Sequence, residues 1–255
     1  MEFDAIILAG GRSSRLGGTP KSELIYDGAT LLDRSIAAAR GARSIVVVGP
    51  APKNLPAGVL SCREEPPFAG PAAAIAAGLA RLQPPGRTAG SGDNSGKRQG
   101  ADQDEAALTL VLACDMPRVA DAVHALRDAI AAAEPVLSAQ GEPGQGESDQ
   151  GESDQGESGR DAAASSGGRR AAAAGRDGVM AASGDGRLQP LAGFYRTAAL
   201  KHAVDDAGAR DALTHGSVFA LLARLDVQAV TVPAGSTDDV DTWDDAAALG
   251  VAGRE

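Results

Sequence analysis

The chain has 255 residues, of which 43% are hydrophobic and 3% aromatic, and its 24 Lys+Arg against 34 Asp+Glu give a net charge of −10 at pH 7. That length suits one large domain or two small ones, with a core built from Ala, Val, Leu and Ile. The acidic balance argues against general binding to nucleic acid or anionic membranes.

Two cysteines, Cys62 and Cys114, lie far apart without metal-ligand spacing, which fits a reducing, cytoplasmic setting. The opening MEFDAIILAGG has no basic segment and too short an apolar run for a signal peptide, and no apolar stretch reaches the roughly 18 residues of a membrane span.

DAIILA (Asp4–Ala9) is the first continuous apolar run, and the glycine-rich loop LAGGRSSRLGGTPK (Leu8–Lys21) follows it. TLLDRSIAAAR (Thr30–Arg40) reads as a helix with Thr30 as N-cap and Asp33 at its third position. SIVVVG (Ser44–Gly49) and VLSCR (Val59–Arg63) read as strands, and GPAAAIAAGLARL (Gly70–Leu82) as a helix. Residues 84–105 are polar and Gly-rich. LTLVLAC (Leu108–Cys114) is the strongest strand, followed by the helix RVADAVHALRDAIAAA (Arg118–Ala133). Residues 140–177 contain the tandem QGESD pentamer. VQAVTV (Val227–Val232) is a last short strand, before a terminal helix whose first turn holds Asp244 and Asp245, with Thr242 as cap.

Segments 84–105 and 140–177 lack apolar periodicity and bury too little surface to offset the entropy of ordering, so they read as disordered insertions in a single domain spanning 1–255. Runs apolar on both faces suit central strands of a parallel sheet, and strands alternating with helices imply a doubly wound, Rossmann-like α/β fold. Ligands bind such sheets beyond the carboxyl ends of the strands, where the opening loop lies.

That loop carries four glycines, three cations (Arg12, Arg15, Lys21) and no carboxylate. Gly10 and Gly11 permit close backbone approach, and successive N–H groups there form an anion-binding concavity. The alternative is an ordinary strand-to-helix turn with basic residues for solubility. The Rossmann fingerprint G-x-G-x-x-G fails, because Gly10 and Gly11 are adjacent. The Walker A pattern fails too: Gly96-Lys97 lies in the first polar segment and is followed by Arg98.

Asp115 ends the strongest strand, either as a ligand for Mg²⁺ together with substrate phosphates or as N-cap of the next helix. Asp239 and Asp241 flank Val240, so an extended segment turns both to one side, for structure or for metal. The three histidines are isolated and no cluster has zinc spacing. Cys114 reads as a core residue rather than a nucleophile, and Trp243 as packing for the terminal helix. Ser13 and Ser14 serve either phosphate or helix capping.

The loop LAGGRSSRLGGTPK resembles the signature of the MobA-like nucleotidyltransferases, departing from it at Pro20, where the family commonly has Asp. LACDMP resembles the family's C-D-x-P element, DVDTWDD its acidic C-terminal element, CREEPPFAGPAAAIAAGL the segment beside the nucleotide, and DGRLQPLAGFYR the strand flanking the acceptor. The resemblance implies a three-layer α/β/α fold of nucleotide-diphospho-sugar transferase type. It implies that Arg15 and Lys21 contact the triphosphate, that Leu8, Ala9, Gly10, Gly11, Glu65 and Gly70 line the nucleotide site, and that Asp115 and Asp241 hold Mg²⁺.

The resulting expectation is a Mg²⁺-dependent nucleotidyltransferase that releases pyrophosphate and acts without nucleic acid or membrane, as a monomer or weak homo-oligomer. LAGG rather than LAAG at Leu8–Gly11 looks like the guanylyl branch and favours GTP as donor and molybdopterin as acceptor. The alternatives are a relative using CTP or a sugar-phosphate acceptor, and a nucleotide-binding module without catalysis.

Overall fold

The computed structural model describes residues 1–11, 13–50, 52, 54–82, 106–133 and 176–253. Apart from Arg176 and Asp177, the segments 84–105 and 140–177 lie outside the described residues.

Nine strands and six helices are described, in this order. The first is β1 (Phe3–Leu8). The hairpin β2 (Ile25–Tyr26) and β3 (Ala29–Thr30) leads into α1 (Leu31–Ala38). Then come β4 (Ile45–Val48), β5 (Val59–Cys62), α2 (Pro71–Leu82), β6 (Leu108–Ala113) and α3 (Val119–Ala133). The second half holds β7 (Gly178–Ala182), β8 (Leu188–Arg196), α4 (Thr197–Ala209), α5 (Val218–Leu222), β9 (Val227–Thr231) and α6 (Trp243–Leu249). Each apolar run read as a strand forms one, within a residue or so of the expected ends. Thr30 caps α1 as expected, its hydroxyl accepting the Asp33 N–H at 3.0 Å.

The seven-stranded sheet has the order β5-β4-β1-β6-β8-β7-β9. β1 pairs in parallel with β4 and β6, β4 with β5, and β7 with β9. β8 alone runs against its neighbours β6 and β7. The all-buried sequence of β1 follows from its central place, with both faces covered. Phe3, Ala5 and Ile7 point into one core with Leu32 of α1 and Val119, Val123 and Leu126 of α3. Ile6 and Leu8 point into the other, with Ile75 and Leu79 of α2, Leu200 of α4 and Leu221 of α5. This is the doubly wound, three-layer arrangement expected.

Two glycines allow contacts that a side chain would forbid. A Cβ on Gly78 of α2 would lie 2.6 Å from Ile6 Cγ2, so glycine lets the Ala-rich helix sit directly on β1. A Cβ on Gly49, just after β4, would lie 2.8 Å from the carbonyl carbon of Ala9 and from the Gly10 nitrogen. Gly49 therefore lets the start of the glycine loop press against the neighbouring strand end.

A third, smaller core decides where the site forms. Leu16, Leu24, Leu31, Val240, Ala246 and Val251 pack together. Leu16 comes from the glycine loop, Val240 from the acidic segment and Ala246 from α6. Ile25 and Ala252 exchange N–H···O bonds of 2.8 Å, tying the far end of the chain to the hairpin.

Candidate active site

The carboxyl ends of β1 and β6 open on one crevice of about 480 Å³, lined by Leu8, Gly10, Gly11, Ser13, Ser14, Arg15, Lys21, Glu64, Gly70, Asp115 and Asp241, among others. A recess of about 410 Å³ under the same loop adds Ala9, Gly18, Pro20 and Pro50. The loop closes through two short 3-10 turns, Ser14–Leu16 and Lys21–Glu23. Ser13 has left-handed torsions (φ 44°) and its side chain makes no cap hydrogen bond, so capping does not explain it. Among the described residues, the N–H groups of Gly10 and Gly11 form no backbone hydrogen bond, which leaves them directed to a ligand or to water. Arg12 lies outside the described residues.

Pro20 does not disturb the loop. Its φ of −61° is the value its ring imposes, and its carbonyl accepts the Glu23 N–H at 3.0 Å, starting the turn that carries Lys21. The Lys21 ammonium donates to Asp115 Oδ2 at 2.9 Å and to Asp241 Oδ1. Burial opposes its charge, but the two carboxylates outweigh burial and hold its pKa above the usual lysine value. Arg15 Nη1 is 4.0 Å from Asp241 Oδ2 with the side chain 73% exposed, a contact of small energetic weight that leaves the guanidinium available.

The acidic segment reaches the end of β6 through its backbone. The Val240 N–H donates to the Asp115 carbonyl at 3.0 Å, and the Val240 side chain is fully buried. With Val240 turned inward, Asp239 and Asp241 fall on Asp115, and one carboxylate oxygen from each of the three lies within 4.8 Å of the others. Burial, and then the charges of Asp115 and Asp241, raise the pKa of Asp239. An oxygen-only set of three carboxylates suits a hard divalent cation. Thr242 and Asp245 form a reciprocal capping box on α6, and Asp245 also accepts the Asp241 N–H at 3.1 Å, so the helix cap holds the backbone that carries Asp241.

Leu8, Ala9, Gly10, Gly11, Arg15, Lys21, Gly70, Asp115 and Asp241 therefore meet in one place. Glu65 does not join them: it is exposed and outside the crevice wall, whereas its neighbour Glu64 is 5% exposed and inside it. Glu64 Oε1 accepts the Phe68 N–H at 3.0 Å, and Oε2 is buried with no hydrogen-bond partner among the described residues. The signal for this was strand parity. Beyond β5 the alternation continues, Cys62 inward, Arg63 outward, Glu64 inward. Asp239 joins Asp241 by the same i, i+2 rule. Cys114 is buried, and burial pushes its thiol far above the usual range, as expected of a core residue. Trp243 is 43% exposed and lies against Gly253.

A family model, the MobA-like NTP transferase domain, matches residues 5–147, more than half of the chain. The chain belongs to the MobA-like NTP transferase family. As a nucleotidyltransferase of this family it acts on a nucleoside triphosphate and a phosphate-bearing acceptor. No curated protein matches this MobA-like transferase in sequence. Solved structures share its fold. Molybdopterin-guanine dinucleotide biosynthesis protein A from Archaeoglobus fulgidus is 15% identical, with 96% of each chain covered and a TM-score of 0.53. Rv0371c from Mycobacterium tuberculosis is 19% identical over 97% of this chain and 96% of its own, with a TM-score of 0.58. The 2-C-methyl-D-erythritol 4-phosphate cytidylyltransferase from Francisella tularensis is 12% identical over 98% and 99%, with a TM-score of 0.57. At these identities the likeness concerns the fold and not the base or the acceptor. Among the described residues of the MobA-like chain, no helix is long and apolar enough to cross a membrane.

Proposed function

We propose that this MobA-like transferase moves GMP from GTP to the terminal phosphate of molybdopterin and releases pyrophosphate. The observation that carries the choice of base is Glu64. Its carboxylate is buried beside the glycine loop, and one oxygen has no hydrogen-bond partner among the described residues. A buried carboxylate calls for donors. Guanine presents two adjacent donors on its Watson–Crick edge, N1–H and the exocyclic amine, whereas cytosine presents one. In this reading Glu64 takes the place in the nucleotide site that the family resemblance gave to Glu65.

The remaining roles follow from position. Leu8, Ala9, Gly10, Gly11 and Gly70 wall the nucleotide site. The N–H groups of Gly10 and Gly11 and the Arg15 guanidinium take the β- and γ-phosphates, the outgoing pyrophosphate. Lys21, whose ammonium stays charged at neutral pH, faces the α-phosphate and the incoming acceptor phosphate. Asp115, Asp239 and Asp241 would hold Mg²⁺, which when bound supplies Lewis-acid neutralisation of charge on the α-phosphate. A second cavity of about 570 Å³ shares Asp115 with the first and adds Asp239 and Arg187, which suits the acceptor.

An oxygen of the acceptor phosphate attacks the α-phosphorus in line, and the bond to the bridging oxygen breaks with its electron pair leaving on pyrophosphate. The acceptor phosphate is largely ionised at neutral pH, so no general base is required. The chain's own residues position the reactants and offset developing charge. We take residues 1–255 as one transferase domain.

The test is pyrophosphate release with each nucleoside triphosphate, Mg²⁺ and molybdopterin. GTP is expected to support it. Release with CTP and not GTP refutes the guanylyl assignment, and GTP binding without turnover on any acceptor favours a non-catalytic module. Glu64→Gln is expected to lower kcat/KM for GTP by about 10- to 150-fold, the range for a hydrogen bond to a charged group.

A further inference from the structure

Phe68 has left-handed backbone torsions, with φ of 64°, a conformation that bulky residues rarely adopt. Such strain persists only where the surroundings fix it, and it concentrates at ligand sites. Here the surroundings are explicit. The Phe68 N–H is held by Glu64 Oε1 at 3.0 Å. The next residue, Ala69, donates to the Pro66 carbonyl at 3.2 Å and accepts the His215 N–H at 2.5 Å. Pro71 then opens α2. The strained turn keeps an aromatic ring out of the core, 38% exposed, where it lines both the crevice and the recess under the glycine loop. Arg63 lies outside, its guanidinium carbon 5.1 Å from the ring centroid, so one face of the ring has a partner within the protein.

We infer that Phe68 is a stacking platform for a purine base and, with Glu64, forms a two-part base reader. The inference rests on the reading of the crevice as a nucleoside triphosphate site. The ring takes the flat face of the base and the carboxylate takes its edge. The hydrogen bond from the Phe68 amide to Glu64 fixes the two parts relative to each other. The platform supplies something the carboxylate does not, a preference for the larger bicyclic base whatever its edge. It also accounts for the strain: relaxed torsions would turn the ring away from the loop that holds the phosphates.

The experiment is equilibrium titration of the full chain with GTP, ATP and CTP in the presence of Mg²⁺. Phe68→Leu is expected to weaken GTP and ATP by the same factor, about 5- to 150-fold, the range for removing one aromatic–base stack. Phe68→Tyr is expected to restore binding. Leu and Tyr meet the same backbone strain, so a difference in affinity between them is not a difference in folding. Glu64→Gln is expected to weaken GTP alone. The chain's single tryptophan is Trp243. Phe68→Trp made in a Trp243→Phe protein therefore reports on position 68, and its emission is expected to be quenched by GTP.

Equal GTP affinity in the parent and Phe68→Leu, or unchanged emission at saturating GTP, overturns the platform. If the parent binds CTP and not GTP, the guanine reading and the purine preference both fail, and only stacking itself is still judged, by loss of CTP binding in Phe68→Leu and its return in Phe68→Tyr. A parent that binds no nucleotide overturns both.

Discussion

Val240→Ala tests the idea that a satellite core, rather than the sheet, assembles the acidic site. Val240 is fully buried among Leu16, Leu24, Leu31, Ala246 and Val251. Removing two buried methyl groups at about 0.8 kcal/mol each, with part of a cavity term, costs about 2 kcal/mol. For a domain of roughly 200 residues that lowers Tm by about 4–8 °C. The same substitution at Val232, 5% exposed in the main core, removes the same groups outside that small core and costs a similar amount. The two variants are expected to differ in activity at 25 °C. In Val240→Ala the acidic segment keeps its single backbone bond to Asp115 but loses the packing that orients Asp239 and Asp241. Displacement on the order of 1 Å costs up to about 100-fold in rate, so kcat is expected to fall by about 10- to 100-fold. Val232→Ala is expected to stay within about twofold of the parent. The assays are thermal melts and pyrophosphate release against Mg²⁺ concentration. A Val240→Ala protein as destabilised as Val232→Ala but with parental kcat and Mg²⁺ dependence refutes the clamp.

Asp115→Asn, nearly isosteric, is expected to lower kcat/KM by about 10³-fold, several kcal/mol of lost charge stabilisation, with Tm close to the parent's; pyrophosphate release at the parental rate rules Asp115 out of the metal site. The pKa of Asp239 is raised in the fold, so its ionised form destabilises the metal-free protein at neutral pH, and this penalty disappears as pH falls through the folded value. Asp239→Asn is accordingly expected to raise the metal-free Tm at pH 7 and weaken metal binding, with the Tm gain shrinking in acid; a gain independent of pH contradicts this origin. Thr242→Ala removes the capping box of α6 and is expected to cost about 1 kcal/mol. Hydrogen bonds from Thr242 hold the Asp245 pKa below the usual value, so the cap's contribution is present above the ordinary aspartate range and lost as pH falls through the lower folded value. Parent and Thr242→Ala melts are expected to draw closer in strong acid, the remaining gap being the bond from the Asp245 N–H to the Thr242 hydroxyl, which does not titrate.

The sequence by itself carried the layer order of the first half. Asp4–Ala9, Ser44–Gly49 and Leu108–Cys114 are apolar on both faces, a pattern stable only in a sheet covered on both sides. It also carried the loop and the Asp115 carboxylate, because spacing along one strand-loop unit is a local property. It was silent on the reversal of β8, since LQPLAGFYR has the same alternation whichever way its neighbours run. The resemblance put Glu65 in the nucleotide site, because residue type does not separate it from Glu64; adjacent acids differ only in which side of the strand they face. Only the tertiary structure brought Lys21, Asp115 and Asp241 together, residues 94 and 220 positions apart for the two Lys21 pairs. The physical reason is Val240. Its side chain fills the small core beside Leu16, and its N–H completes the end of β6 at Asp115, two constraints that no local pattern contains.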